Sequence, residues 1–325
     1  MNNINKKALI FGITGQDGAY LSKLLLEKSY IISGTSRNVN SDKLLNFDYL
    51  HIKDNINMHS VSTSNYEEIY EIIKKIEPDE IYNLSGQSSV ASSFKKPQDS
   101  FESISLGNLH ILEAIRKINS SIKFYNACSG ECFGDTDGKA VNENSPFKPC
   151  SPYAIAKLST YWQVKLYRKA YNLFACSGIL FNHESPLRPK GFVTRKIIST
   201  AVKIANGSNE KLILGDLSIK RDWGWAPEYV NAMWMMLQLS SADDFVISTG
   251  ISSSLEMFVT IVFEKLGLNW KEHVIVDKDL FRPSEIQSNR GDSSKAEKNL
   301  GWKAKYSISE IAQSMIDNEK KDFRQ

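Results

Sequence analysis

Between a short apolar run at residues 7–11 and a helical pattern through Tyr20, Leu21, Leu24, Leu25 and Leu26 stands Gly12-Ile-Thr14-Gly15-Gln16-Asp17-Gly18. Glycines at this GxxGxxG spacing let the chain turn sharply, approach a pyrophosphate with bare backbone, and pack a helix tightly on a strand. The helix that follows offers free N–H groups and the positive end of its dipole to the anion. A second apolar run, Tyr30-Ile-Ile-Ser-Gly-Thr35, comes at once. The stretch is therefore strand, turn, helix, strand, a βαβ unit whose crossover demands parallel strands. A bare glycine triplet also suits a structural turn; in this setting it reads as a dinucleotide loop.

Further strand candidates are Glu80–Leu84, Lys123–Ala127 and Phe174–Leu180, with helical patterns between them at about 65–76, 103–118 and 153–171. Such alternation predicts an α/β fold with a doubly wound, Rossmann-type parallel sheet. After about residue 182 the regularity weakens, and loops such as Glu184-Ser-Pro-Leu-Arg-Pro-Lys-Gly191 intervene. The expected division is a dinucleotide-binding domain at 1–181 and a smaller, mainly substrate-binding region at 182–325. Segments near 226–255 are expected to return to the first domain.

Charge and hydropathy narrow the partners. The formal net charge of +3 comes without a Lys/Arg tract, which argues against nucleic acid. Only Ala8-Leu-Ile-Phe11 is apolar near the start, too short for a signal-peptide core, and no run of 18 apolar residues occurs. A cytoplasmic protein without a membrane partner is expected. Cys128, Cys132, Cys150 and Cys176 have no CxxC spacing, so neither a metal site nor a disulfide framework is expected.

Two further patterns carry chemistry. The second strand ends Gly34-Thr-Ser36-Arg37, with no carboxylate for a ribose 2′-hydroxyl. Arg37, assisted by Ser36, instead suits the 2′-phosphate of NADP, since guanidinium–phosphate bonds are charge-assisted. Ser151-Pro-Tyr153-Ala-Ile-Ala-Lys157 opens a helix with Tyr and Lys on one face. A lysine there is expected to lower the tyrosine pKa and make it an acid/base. Just past another strand candidate, Ser129 is placed to bond a substrate oxygen beside Tyr153. Glu131, two residues on, supplies a base that a plain dehydrogenase does not need; taken alone it fits an exposed loop carboxylate equally well.

Together these residues resemble the extended short-chain dehydrogenase/reductase superfamily and, more narrowly, the GDP-mannose 4,6-dehydratase family. The resemblance runs from about residue 7 to the end. It is carried by the glycine loop, Pro78–Leu84, Ser151–Leu158, Gly178-Ile-Leu-Phe-Asn-His-Glu-Ser-Pro186, Phe192–Ile197, Lys220-Arg-Asp-Trp-Gly224 and Phe281-Arg-Pro-Ser-Glu285. It implies Ser129, Glu131, Tyr153 and Lys157 as the catalytic set. NADP contacts would come from Gly12, Thr14, Gly15, Gln16, Asp17, Gly18, Arg37, Ser62, Leu84, Gln87, His183 and Arg188. A GDP-sugar would meet Asn182, Arg195, Lys196, Arg221 and Arg282, and the chain would assemble as a homodimer or homotetramer through the helices near 103–118 and 153–171.

The chain also departs from the family pattern. Ser62-Thr63 replaces an Asp-Leu pair, Asp99 a tyrosine, Ser129-Gly130-Glu131 a Thr-Ser-Glu triplet, and Leu187 an arginine. These changes leave the implied chemistry intact: transient C4 oxidation, loss of water across C5 and C6, and hydride return to C6. They leave GDP-N-acetylglucosamine or a GDP-heptose open beside GDP-mannose. A GDP-sugar reductase or epimerase, and an inactive NADP-binding interaction protein, are the rival readings.

Overall fold

Seven short runs, all but one edge strand mostly buried, build the central sheet. In the computed structural model, which describes residues 5–39 and 44–324, the strands in chain order are β1 (Lys7–Phe11), β2 (Ile31–Ser36), β3 (Ile56–Ser60), β4 (Glu80–Asn83), β5 (Lys123–Ser129), β6 (Ala175–Leu180), β7 (Asn182–Glu184), β8 (Leu212–Leu214), β9 (Lys220–Trp225), β10 (Phe245–Ile247), β11 (Ser252–Ser254) and β12 (Val274–Val276). The large sheet has the order β10-β6-β5-β4-β1-β2-β3, and every pairing in it is parallel. Strands β4 and β6 are buried along their whole length, as expected for strands covered on both faces.

Alternation along β1 shows the two faces. Ala8 and Ile10 join a core with Leu21, Tyr82, Tyr125, Met233 and Phe245, under the helices Gln16–Glu27 and Ala226–Leu237. Leu9 and Phe11 join the opposite core with Ile69, Ile111, Ile115, Phe124 and Val164, under the helices Tyr66–Ile76, Gly107–Ile118 and Pro152–Tyr171. The doubly wound α/β fold expected from the sequence is thus the observed one. From β1 the chain winds outward through β2 and β3, then crosses to β4 on the other side. Ligands of such sheets bind at that reversal, beyond the carboxyl ends of the strands.

A third core gathers Ile197, Ile198, Trp223, Phe258, Val262 and Met315 beneath the helices Val193–Ala205, Leu255–Lys265 and Ile308–Arg324. It carries two small sheets, β11-β9-β7 and β12-β8. Strand β7 leaves β6 after a single residue, so this region is joined directly to the carboxyl edge of the large sheet. The helical pattern near 103–118 differs in detail: Phe101–Leu106 forms a π-helix before the α-helix begins at Gly107. Among the described residues no helix is long and apolar enough to cross a membrane.

Candidate active site

The glycine loop forms a cradle. Gly12 has φ +79, and a Cβ there would stand 2.8 Å from the Leu84 carbonyl at the end of β4. A Cβ on Gly18 would stand 2.4 Å from the Ile13 oxygen, so only glycine lets the helix seat this closely. Gly15 caps that helix in extended conformation, and no side chain bonds its first turn. The Thr14 carbonyl accepts from Asn46 Nδ2 at 2.9 Å. Bare backbone at an uncapped helix start, beside the sheet's switch point, fits a dinucleotide pyrophosphate.

The side chains of this loop turn toward β7. Gln16 Nε2 donates to the His183 carbonyl at 3.2 Å, and Ser185 Oγ donates to Gln16 Oε1 at 2.7 Å. His183 Nε2 lies 2.9 Å from Asp17 Oδ2, while Nδ1 faces the Phe181 carbonyl at 2.7 Å. Burial opposes charge on both partners, yet each stabilises the other: Asp17 is held below its ordinary pKa and His183 above. Arg188 pairs with Glu184 at 3.2 Å and lies over the Phe192 ring. Arg37 is exposed at the end of β2, its carbonyl accepting from Ser60 Oγ at 3.3 Å. The Ser62 N–H donates to Glu68 at 2.8 Å.

A cavity of about 480 Å³ opens over the carboxyl ends of the strands. Asp17, Leu84, Gln87, His183 and Arg188 line it on the loop side; Arg37 and Ser62 lie outside it. Gln87 folds back on its own loop, donating to the Ser89 carbonyl at 2.8 Å and accepting from the Ser89 N–H.

Ser129, Glu131, Tyr153 and Lys157 converge on the cavity floor. Ser151 caps the helix that carries Tyr153 and Lys157, its Oγ accepting from the Ala154 N–H at 3.1 Å, and Pro152 sits in the first turn, where it needs no N–H partner. Lys157 follows Tyr153 by one turn and donates to the Ala127 carbonyl at 2.8 Å. The Tyr153 pKa departs from the expected direction. Burial pushes the phenol up, a hydrogen bond with Ser129 opposes this only in part, and the Lys157 ammonium is engaged with Ala127 and lowered by its own burial.

Ser129 Oγ accepts from the Glu131 N–H at 3.2 Å and so starts the short 3-10 turn Gly130–Phe133. Glu131 is not an exposed loop carboxylate, because its side chain is 12% exposed and faces Arg221 at 3.9 Å. Burial raises its pKa, and Arg221 and Arg282 pull the other way.

Asn182, Lys196, Arg221 and Arg282 line the opposite wall. Arg221 pairs with Glu285 at 2.7 Å and donates to the Ile286 carbonyl at 2.7 Å; Arg282 reaches Glu285 at 3.3 Å. Lys196 Nζ donates to the Ile213 carbonyl at 2.6 Å. Arg195 is placed elsewhere: it pairs with Glu319 of the last helix at 2.6 Å and does not line the cavity. Neighbouring helical residues point about 100° apart, and here Lys196 takes the cavity side while Arg195 turns to the last helix. Glu285 had no role in the sequence reading, although its spacing from Arg282 was visible.

Comparison with known proteins agrees with this arrangement. A family model described as GDP-mannose 4,6 dehydratase matches residues 9–315. GDP-mannose 4,6 dehydratase 1 of Arabidopsis thaliana is 42% identical over an alignment of 324 positions that covers 97% of this chain and 90% of that protein. GDP-mannose 4,6 dehydratase of Homo sapiens is 41% identical over 95% of this chain and 90% of that protein. The fold is shared with UDP-glucose 4-epimerase of Thermotoga maritima, solved with UDP-glucose (TM-score 0.88, 22% identity, 98% of this chain and 99% of that one). It is also shared with dTDP-glucose 4,6-dehydratase of Bacillus anthracis in complex with NAD (TM-score 0.85, 19% identity, 98% of each chain). With a family match over residues 9–315 and relatives 42% and 41% identical over nearly its whole length, the chain belongs to the GDP-mannose 4,6-dehydratase family.

Proposed function

We propose that this chain is a cytoplasmic, NADP-dependent hydro-lyase that converts GDP-mannose to its 4-keto-6-deoxy form. The observation that carries the reading is Glu131, a buried carboxylate on the same cavity floor as Tyr153, Ser129 and Lys157. Reduction of a ketone and inversion at C4 itself by hydride transfer need no such second base.

The cradle of Gly12, Gly15 and Gly18 fits a nicotinamide dinucleotide, which when bound supplies hydride acceptance and return. Leu84, Asp17, His183 and Arg188 would flank it, and Arg37 is the cation available to a 2′-phosphate. Tyr153 takes the proton of the sugar 4-hydroxyl, and Ser129 orients that oxygen. Lys157, anchored on Ala127, holds positive charge behind the phenol as it ionises. A 4-ketone acidifies the C5 hydrogen, because the carbanion delocalises into an enolate. Glu131 removes that proton and passes it to the departing 6-hydroxyl, which leaves as water; the hydride returned to C6 is matched at C5 by a proton equivalent to the one Tyr153 took. Arg221, Arg282 and Lys196 suit the diphosphate and nucleotide end, with Asn182 nearer the sugar. Arg221 and Arg282 share Glu285 until an anion competes for them.

The 182–325 region would hold the GDP-sugar and 1–181 the dinucleotide. Of the family departures, Leu187 is packed in the core and Gly130 lies flat on Phe181, so neither adds a group to the cavity. GDP-N-acetylglucosamine and a GDP-heptose remain the alternatives to test.

Incubation with GDP-mannose, without added reductant, should yield a product lighter by one water with no net change in nicotinamide absorbance. Stoichiometric NADPH oxidation would favour a reductase, and turnover confined to another GDP-sugar would correct the substrate.

A further inference from the structure

The Gly130 carbonyl and the Glu131 N–H are the two ends of one peptide group. Its N–H donates to Ser129 Oγ at 3.2 Å, and its C=O accepts from Asn289 Nδ2 at 3.2 Å. A trans peptide is planar with these groups opposed, so holding one end aims the other. We propose that Asn289 is a positioning residue for the dehydration, setting the Ser129 hydroxyl and the direction of Glu131 through this single peptide. The inference rests on the roles of Ser129 and Glu131 argued above.

Several observations point the same way. Position 130 is glycine, whose backbone alone restrains a peptide less than any other residue. Nor is there room for a larger one: a Cβ would stand 3.0 Å from the Phe181 ring. The restraint therefore has to come from outside the loop. Asn289 is 2% exposed, and its own backbone is fixed on both sides. Its N–H donates to the Lys220 carbonyl and its carbonyl accepts from Ser252 Oγ, each at 3.2 Å. With Ser129 Oγ occupied as acceptor, its hydrogen is left to donate toward Tyr153 or the sugar oxygen. Hydrogen bonds in series also polarise one another, so the Asn289 bond strengthens the one to Ser129.

Asn289→Leu keeps the branching and the number of heavy atoms and removes the donor. With GDP-mannose, kcat should fall about 10–100-fold, the scale of one lost buried hydrogen bond, while KM stays within about twofold. The acid limb of the kcat–pH profile should move, because Glu131 is re-aimed relative to Arg221. In a Ser129→Ala background the same substitution should cost far less, since the path through Ser129 is already broken. A wild-type kcat in Asn289→Leu overturns the proposal. So does a loss that is fully additive with Ser129→Ala and leaves the pH profile in place, as a merely structural role would give. If Asn289→Leu does not fold, Asn289→Asp, equal in size and without a donor when ionised, decides by the same kcat criterion. Failure of the wild type to dehydrate GDP-mannose would count instead against the functional assignment.

Discussion

Glu131 is asked to be both buried and charged, and the two demands conflict. Its pKa is raised mainly by burial, with Arg221 and Arg282 opposing, so the proton-accepting form appears at higher pH than for an ordinary glutamate. Activity should fall as pH drops through that raised value, giving an acid limb shifted toward neutrality. Stability runs the other way. With the folded pKa above the unfolded one, this group's contribution is fully present below the unfolded pKa and is lost as pH rises through the folded pKa. Glu131→Gln should therefore raise Tm at about pH 8, with the gap closing toward about pH 4, while turnover drops about 10²–10⁴-fold. Thermal melts and steady-state rates on one variant check both. Arg37→Ala tests the cofactor: loss of one charge-assisted bond predicts about tenfold to hundredfold weaker NADP binding and little change for NAD, measured by calorimetry. Equal loss for both would assign Arg37 another role. Tyr153, Lys157 and Ser129 were legible because the chemistry writes itself in short spacing. Asn289 was not, since it meets Gly130 only through the fold, 159 positions away. Arg195 was misplaced for a related reason, its partner Glu319 lying on a distant helix.

Elements whose burial is two-sided announced themselves in the sequence. Strands β1, β4, β5 and β6 are runs that the fold almost wholly buries and were located within a residue or two. Strand β3 was not marked out as one, because Ile-Asn-Met-His-Ser at the sheet edge is only half covered and lacks a continuous apolar run. The π-turn before Gly107 was equally hidden: its residues have ordinary helical periodicity, and the wider turn shows only in how Ile104 presses toward Gly86. The glycine-loop helix was fully legible, and its seating can be tested. Gly18→Ala would place a methyl 2.4 Å from the Ile13 oxygen, so the helix must lift from the loop. Overpacking of this kind costs about 1–3 kcal/mol, and dinucleotide affinity should be lost along with the stability. Unchanged cofactor binding in that variant would show that the cradle is not the pyrophosphate seat.

At the scale of the whole molecule, Ile155, Trp162 and Leu166 share one face of the Pro152–Tyr171 helix and are about half exposed, with Phe101 and Leu106 of the neighbouring segment also uncovered. Apolar residues so placed suit a second copy of the chain. Trp162→Glu with Leu166→Glu should convert an oligomer to monomer in light scattering, and an unchanged mass would put the interface elsewhere. The small sheets and the third core come from residue 182 onward, where regularity fades in the sequence; how the late segment folds back was not legible there. That segment, 285–292, lies along β9 and fastens to the catalytic loop through Gly130, Asp135, Thr136 and Val141. During synthesis the glycine loop is made well before the residues that hold the Gly130 peptide. A growing chain of this protein thus has its first strand–turn–helix long before that peptide can be braced, and the brace forms only once residues 285–292 have been added.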